Sequence, residues 1–364
     1  MIIMKKQIAL VKGDGIGPEV VNEGVNILKT IAEYTDYEFD FTEAPMGGEI
    51  WKKCGESLPQ TSLEMMKQSD AILFGAVGLP DIPQGVAEKA ILKVRQDLDL
   101  YVNLRPVKLY PSLHDMCPLK PEIVEDGINI SIFRENTESV YAQIGGIVNQ
   151  ETAVNSMVYT RKGVSRIIEY AYEFVSKNRL DELISVDKAN VLVVSQFWRQ
   201  IFQSIGKNYP KIKQTNYYVD AFCQWLIRKP SSIHTVVTEN MFGDIVSDEA
   251  AYLVGSLGMG ASGNINPTGV SMYEPIHGSA PDITGQGIAN PIGTILSLKL
   301  MFEESFRDTH VGVAIDKAVE SALESMRTTD IYSKYAQNKV NIQRGNCREM
   351  GSSVAEQLKS ILKN

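Results

Sequence analysis

Short apolar runs rich in β-branched residues recur along the whole chain with helical stretches between them, and this alternation constrains the fold more than any other feature. The runs at 8–11, 71–77, 191–194 and 235–237, with the alternating Ile128, Ile130 and Ile132, predict strands. Between the first two, PEVVNEGVNILKTIAEY places Val21, Val25, Leu28 and Ala32 at helical spacing, with Pro18 suited to the first helical turn. A chain that opens strand, glycine turn, helix and then repeats the alternation belongs to the α/β class. Its 364 residues suggest two domains at roughly 100–200 residues each. No linker, repeat or low-complexity tract marks a boundary, which leaves room for one of them to be discontinuous.

Charge narrows the function. Lys+Arg 36 against Asp+Glu 44 gives a net charge of -8, a surface that repels phosphodiester backbones and anionic lipid, so neither nucleic acid nor membrane is expected as a partner. No run reaches the ~18 apolar residues that would span a bilayer. Cys54, Cys117, Cys223 and Cys347 stand far apart and never as C-x-x-C, which argues against a disulfide framework or a zinc site and predicts a reducing, cytoplasmic setting.

Several segments carry possible chemistry. Gly13-Asp-Gly15-Ile-Gly17 follows a predicted strand, but its spacing is not the G-x-G-x-x-G of a Rossmann turn; a tight turn and a ligand loop explain it equally well. Glu88, Ile91, Leu92 and Arg95 fall at i, i+3, i+4 and i+7 and share one helical face. With Arg105 and Arg134, Arg95 supplies planar donor forks matched to carboxylates, although a surface charge or structural ion pair is the commoner fate of a single arginine. Asp244 and Asp248 stand four apart, on one face if TENMFGDIVSDEA is helical. With Asp220 they suit a hard ion such as Mg²⁺ or Mn²⁺; the bland reading is a solvated acidic face with Asp244 as an N-terminal cap. Lys188 is placed just before the 191–194 run, where partial desolvation would favour loss of its proton, although ordinary exposure is the commoner fate of a lysine; Tyr141 is a candidate proton donor, although most tyrosines simply pack. The densest glycine stretch, 255–287, is apolar enough to be a site and not a linker.

Taken in order, GDGIGPE, LKVRQDLDLYVNLRP, FRENTESVY, VDKANVL, TENMFGDIVSDEA and EPIHGSAPDITGQGIANP resemble the isocitrate/isopropylmalate dehydrogenase family from about residue 7 to the C-terminal region. The resemblance implies an isopropylmalate dehydrogenase-like two-domain fold around a cleft, distinct from the Rossmann fold. The first domain would comprise 1–102 plus 256–364 and the second 103–255. It also implies a homodimer in which Lys188 and Asp220 reach into the partner's cleft. By the same likeness Arg95, Arg105 and Arg134 clamp the malate carboxylates, Asp220, Asp244 and Asp248 hold the divalent metal, and Lys188 and Tyr141 move protons. Glu274, His277, Gly278, Ser279, Ala280, Asp282, Ile283 and Asn290 match the adenosine loop.

Asp282 selects NAD, since a carboxylate accepts bonds from ribose hydroxyls but repels a 2′-phosphate. Glu88, Ile91 and Leu92 select an apolar C3 group over the third carboxylate of isocitrate. The implied reaction is oxidative decarboxylation of a 3-substituted malate, 3-isopropylmalate first, with leucine biosynthesis its commonest setting. Ala90 replaces an expected Gly, AQIGG follows Tyr141, and GMGASGNINPTGVSMYEP replaces the common form. Those departures keep open another 3-alkyl or 3-arylmethyl malate. A D-malate or tartrate dehydrogenase, and a noncatalytic subunit of the same fold, are the remaining alternatives.

Overall fold

The computed structural model describes residues 3–363 and divides into two compact units. The first comprises Met1–Leu98, Tyr110–Cys117 and Val254–Asn364, the second Asp99–Leu109 and Pro118–Leu253. One unit is thus discontinuous, and Tyr110–Cys117 belongs to it although it lies within 103–255.

In the first unit the strands run in the order Tyr37–Glu43, Met4–Gly13, Ala71–Ala76, Met272–Pro275 and Ala261–Ile265. All neighbours are parallel except the last pair. Every residue of Ala71–Ala76 is buried, as expected of a strand covered on both faces, which is why the run is continuously apolar. The helix Gly17–Tyr34 starts with proline in its first turn and buries Val20, Val21, Ile27, Leu28 and Ile31. It packs beside the C-terminal helix Cys347–Leu362.

The GDGIG segment is a tight turn whose geometry has a clear cause. The Asp14 carboxylate, 1% exposed, accepts backbone N–H bonds from Gly48 (2.6 Å), Glu49 (2.9 Å) and Gly78 (2.8 Å). Gly15 adopts φ +59°, and a Cβ there would lie 1.9 Å from the Ser279 carbonyl oxygen, so only glycine lets the 276–291 loop approach. Ile16 N–H then donates to that same carbonyl at 2.9 Å.

In the second unit Val102–Lys108 pairs antiparallel with Asn129–Glu135, followed in parallel by Thr235–Thr238, Glu182–Asp187 and Lys213–Tyr218. The expected strand at 191–194 is not one. Val191 and Val193 are 65% and 76% exposed, and the helix Val193–Gly206 begins there. The strand is instead Glu182–Asp187, so Lys188 follows a strand and does not precede one. Ser185 interrupts that strand's apolar pattern because it accepts the indole N–H of the buried Trp198 at 3.0 Å. No helix among the described residues is long and apolar enough to cross a membrane.

Candidate active site

Four elements of the second unit bring five of the expected residues together. Strand Val102–Lys108 carries Arg105, strand Asn129–Glu135 ends with Arg134 and Glu135, and the short turn Ser139–Ala142 holds Tyr141. The helix Asn240–Leu253 presents Asp244 and Asp248 one turn apart, inside the helix and not at its cap. Their repulsion is offset by the two guanidinium groups. Arg105 Nη1 donates to Asp248 Oδ1 at 2.8 Å and its Nη2 lies 3.3 Å from Asp244 Oδ1, while Arg134 Nη1 donates to that same Asp244 oxygen. Tyr141 donates its phenol proton to Asp244 Oδ2 at 2.8 Å, its ring 5.2 Å from the Arg134 guanidinium. Desolvation, with Asp244 alongside, holds the Asp248 carboxyl above the usual range despite Arg105 and Arg134.

Supporting residues that the motifs did not single out fix these arginines. Arg105 Nε donates to Asn103 Oδ1 (2.8 Å) and its Nη1 to Ser247 Oγ (2.8 Å); Arg134 Nε donates to Asn240 Oδ1 (3.0 Å). Asn103 was findable, since residues two apart on a strand share a face; Ser247 sits three residues after Asp244 on its helix. Such bonds hold a fork in one orientation, and that orientation gives carboxylate recognition its geometry.

Lys188 and Asp220 form a separate pair in the same unit, Lys188 Nζ donating to Asp220 Oδ1 at 2.5 Å. That contact holds the Asp220 carboxyl below the usual carboxylate range. Lys188 is positioned by its predecessor: Asp187, fully buried, accepts two bonds from Arg199 (2.8 and 2.7 Å) and one from Ala189 N–H (2.9 Å). Among the described residues no three His, Cys, Asp or Glu side chains of this chain alone gather as a metal site. The carboxylates of Asp244 and Asp248 are nonetheless the hard oxygen donors that Mg²⁺ or Mn²⁺ favours.

The remaining residues lie in the first unit. The helix Val86–Asp97 buries Ala87, Ala90 and Val94, leaving Ile91 and Leu92 half-buried and Glu88 exposed, so Ala90 is a packing residue. The preceding loop encloses a hollow of about 230 Å³ lined by Leu79, Ile82, Pro83 and Glu88. Arg95 pairs at 3.3 Å with Glu274, which also accepts from Asn264 at 2.6 Å, so Glu274 holds the arginine.

On the 276–291 loop, Ile283 and Ala280 pack against the buried Ile16, Val20, Ala289 and Cys347. His277 Nδ1 contacts the Gly278 carbonyl at 2.9 Å, its Nε2 is buried without a partner among the described residues, and burial pushes its pKa down, favouring the uncharged ring. The Asp282 carboxylate is exposed with no hydrogen-bond partner among the described residues, and Asn290 Nδ2 donates to Asp330 at 3.0 Å. An orphaned ring nitrogen and a free carboxylate on one loop fit a nucleoside's base and ribose hydroxyls.

The isocitrate/isopropylmalate dehydrogenase family model matches residues 7–354. The chain is 45% identical over 341 residues to the 3-isopropylmalate dehydrogenase of Aquifex aeolicus, covering 91% of this chain and 93% of that protein. Among solved structures it is similar to isocitrate dehydrogenase from Methylococcus capsulatus, with TM-score 0.86, 31% identity, and coverage of 97% and 99%. A beta-decarboxylating dehydrogenase from Thermococcus kodakarensis gives TM-score 0.78 at 32% identity, covering 98% of this chain and 97% of that one. The chain belongs to the isocitrate/isopropylmalate dehydrogenase family and is a decarboxylating dehydrogenase.

Proposed function

We propose that this enzyme oxidatively decarboxylates a 3-substituted malate with an apolar C3 group, 3-isopropylmalate to 2-oxo-4-methylpentanoate and CO₂, with NAD as oxidant and Mg²⁺ or Mn²⁺ as cofactor. The observation that carries the reading is the gathering of Arg105, Arg134, Tyr141, Asp244 and Asp248. Arg105 and Arg134 bind the malate carboxylates, with Arg95 as third member of the clamp, and Asp220, Asp244 and Asp248 hold the ion. When bound, the ion would supply Lewis-acid polarisation and NAD would supply the hydride acceptor. Lys188 takes the C2 hydroxyl proton as the hydride leaves. After CO₂ departs, Tyr141 returns a proton to C3 and is reprotonated from solvent.

The adenosine loop 276–291 favours NAD through Asp282. Steady-state rates with NAD are expected to exceed those with NADP by at least tenfold at matched concentration; equal rates would remove Asp282 from the cofactor site. For the C3 group, each buried methylene is worth about 0.8 kcal/mol, whereas an unpaired carboxylate costs several. NADH formation on 3-isopropylmalate is therefore expected to exceed that on isocitrate by more than a hundredfold. The hollow beside Glu88 favours a second reading, a bulkier 3-alkyl or 3-arylmethyl malate, and 3-benzylmalate in the same panel separates the two.

The working form in this reading is a homodimer joined through the second unit, with Lys188 and Asp220 serving the partner's site. Exposed apolar side chains support it: Ile245 (57%) and Tyr252 (61%) on one helix, Ile227 (48%) on another and Ile147 (73%) on the hairpin formed by Gly145–Val148 and Thr152–Asn155. Ile245→Arg is expected to shift the protein to monomer in sedimentation velocity and to abolish turnover. A fully active monomer would overturn the shared-site arrangement.

A further inference from the structure

A second cavity, of about 480 Å³, lies in the first unit between the start of helix Gly17–Tyr34, the Gly285–Gly287 segment of the loop and the start of helix Cys347–Leu362. The proposed chemistry uses none of its lining side chains. Glu19 Oε1 accepts the Gly285 N–H at 2.9 Å, but its other oxygen, Oε2, is buried with no partner. Glu23, only 6% exposed, gives one oxygen to Asn26 at 3.0 Å. Its carboxylate occupies the space that a Cβ on Gly351 would fill, 2.1 Å from Oε2. Burial raises the Glu23 carboxyl, and the nearby Arg348 guanidinium works against that rise. Arg348 itself is exposed and has no hydrogen-bond or ion-pair partner among the described residues. Cys347 is not a nucleophile here, because burial, with Glu23 and Glu19 beside it, pushes its thiol up to about 12.

A buried carboxylate oxygen without a donor is costly unless something supplies one. A free guanidinium in the same cavity offers a fork for a carboxylate. We propose that this cavity binds a small zwitterion of the α-amino acid class, its ammonium at Glu19 Oε2 and Glu23 and its carboxylate on Arg348. The ligand would couple to the nucleotide. Gly285 hangs on Glu19, and Cys347 N–H donates to the Gly287 carbonyl at 2.7 Å, so both ends of the segment are tied to the cavity wall. Asp282 and Asn290 flank that segment. A ligand that fixes the loop lowers the ordering cost of nucleotide binding, and the coupling is reciprocal.

The test is calorimetric titration of the full-length protein with a panel of L-amino acids, beside the matching carboxylic acids and amines that lack one of the two groups. At least one amino acid is expected to saturate at or below millimolar concentration, with neither half-molecule doing so. Glu19→Gln keeps the acceptor for Gly285 and places a donor where the ammonium would sit; Arg348→Ala changes an exposed side chain. Each is expected to weaken binding at least tenfold without lowering the unfolding midpoint. Dissociation constants for NAD, measured without turnover, should fall about threefold in the saturating amino acid. No saturation by any amino acid, or undiminished binding in both variants, would overturn the proposal whatever the catalytic substrate proves to be.

Discussion

Asp244→Asn is expected to lower kcat/KM by at least ~10³-fold, because one side chain serves two arginines and a tyrosine and, in the proposed reaction, would also ligate the ion. The asparagine is isosteric, so the loss should come from charge and not shape. Three consequences separate it from simple unfolding. The apparent affinity for Mn²⁺ should fall, since a carboxylate ligand becomes a neutral amide. Stability should drop by only about 2 kcal/mol, less than for a fully buried pair, because the Asp244 side chain is 35% exposed. Arg134, 1% exposed, retains Asn240 as an acceptor and stays in place. A variant with full turnover, or one whose metal affinity is unchanged, would remove Asp244 from the reaction.

Glu239→Gln should change how stability depends on pH. Glu239 is fully buried between the strand Thr235–Thr238 and the helix that carries Asp244; it accepts the Ser195 hydroxyl at 2.5 Å, and its second oxygen has no partner. Burial, reinforced by the charge on Asp187, pushes its carboxyl up to about 8 despite the Ser195 bond. The folded state therefore keeps a proton that the unfolded chain releases near 4.5. Stability from this group is complete below that value and is lost as pH rises toward and through 8. Between pH 6 and 9 the loss is about 3 kcal/mol. Glutamine stays neutral throughout, so over that range urea midpoints of the parent should fall relative to those of the variant. Parallel curves for the two proteins would show that Glu239 is already ionised at pH 6.

How much of this was legible in the sequence follows from the range of the interactions involved. Ala71–Ala76 was readable because complete burial requires an uninterrupted apolar run, and Gly17–Tyr34 because its buried face repeats at helical spacing. Asp244 and Asp248 were readable as a pair because four residues make one helical turn. The strand Glu182–Asp187 was hidden by Ser185, whose polarity is explained only by Trp198 from the following helix. The 191–194 run was misleading for the opposite reason: Val191 and Val193 are apolar yet exposed, and periodicity cannot tell a covered valine from an uncovered one. Two of the three supports of Arg105 and Arg134 were equally distant, Ser247 lying 142 residues from Arg105 and Asn240 lying 106 from Arg134, whereas Asn103 stands only two residues from Arg105. The family motifs contain Asn103, Asn240 and Ser247 beside the arginines and aspartates, but only the folded contacts show that these groups orient the arginines.

The single Asp14 carboxylate that receives three main-chain amides acts as a common latch. Whatever lifts that carboxylate exposes Gly48, Glu49 and Gly78 at once, so their deuterium uptake should proceed in step despite the thirty residues or so that separate the first two from the third. The opening turn thus sets the rhythm at which remote stretches of its own unit breathe.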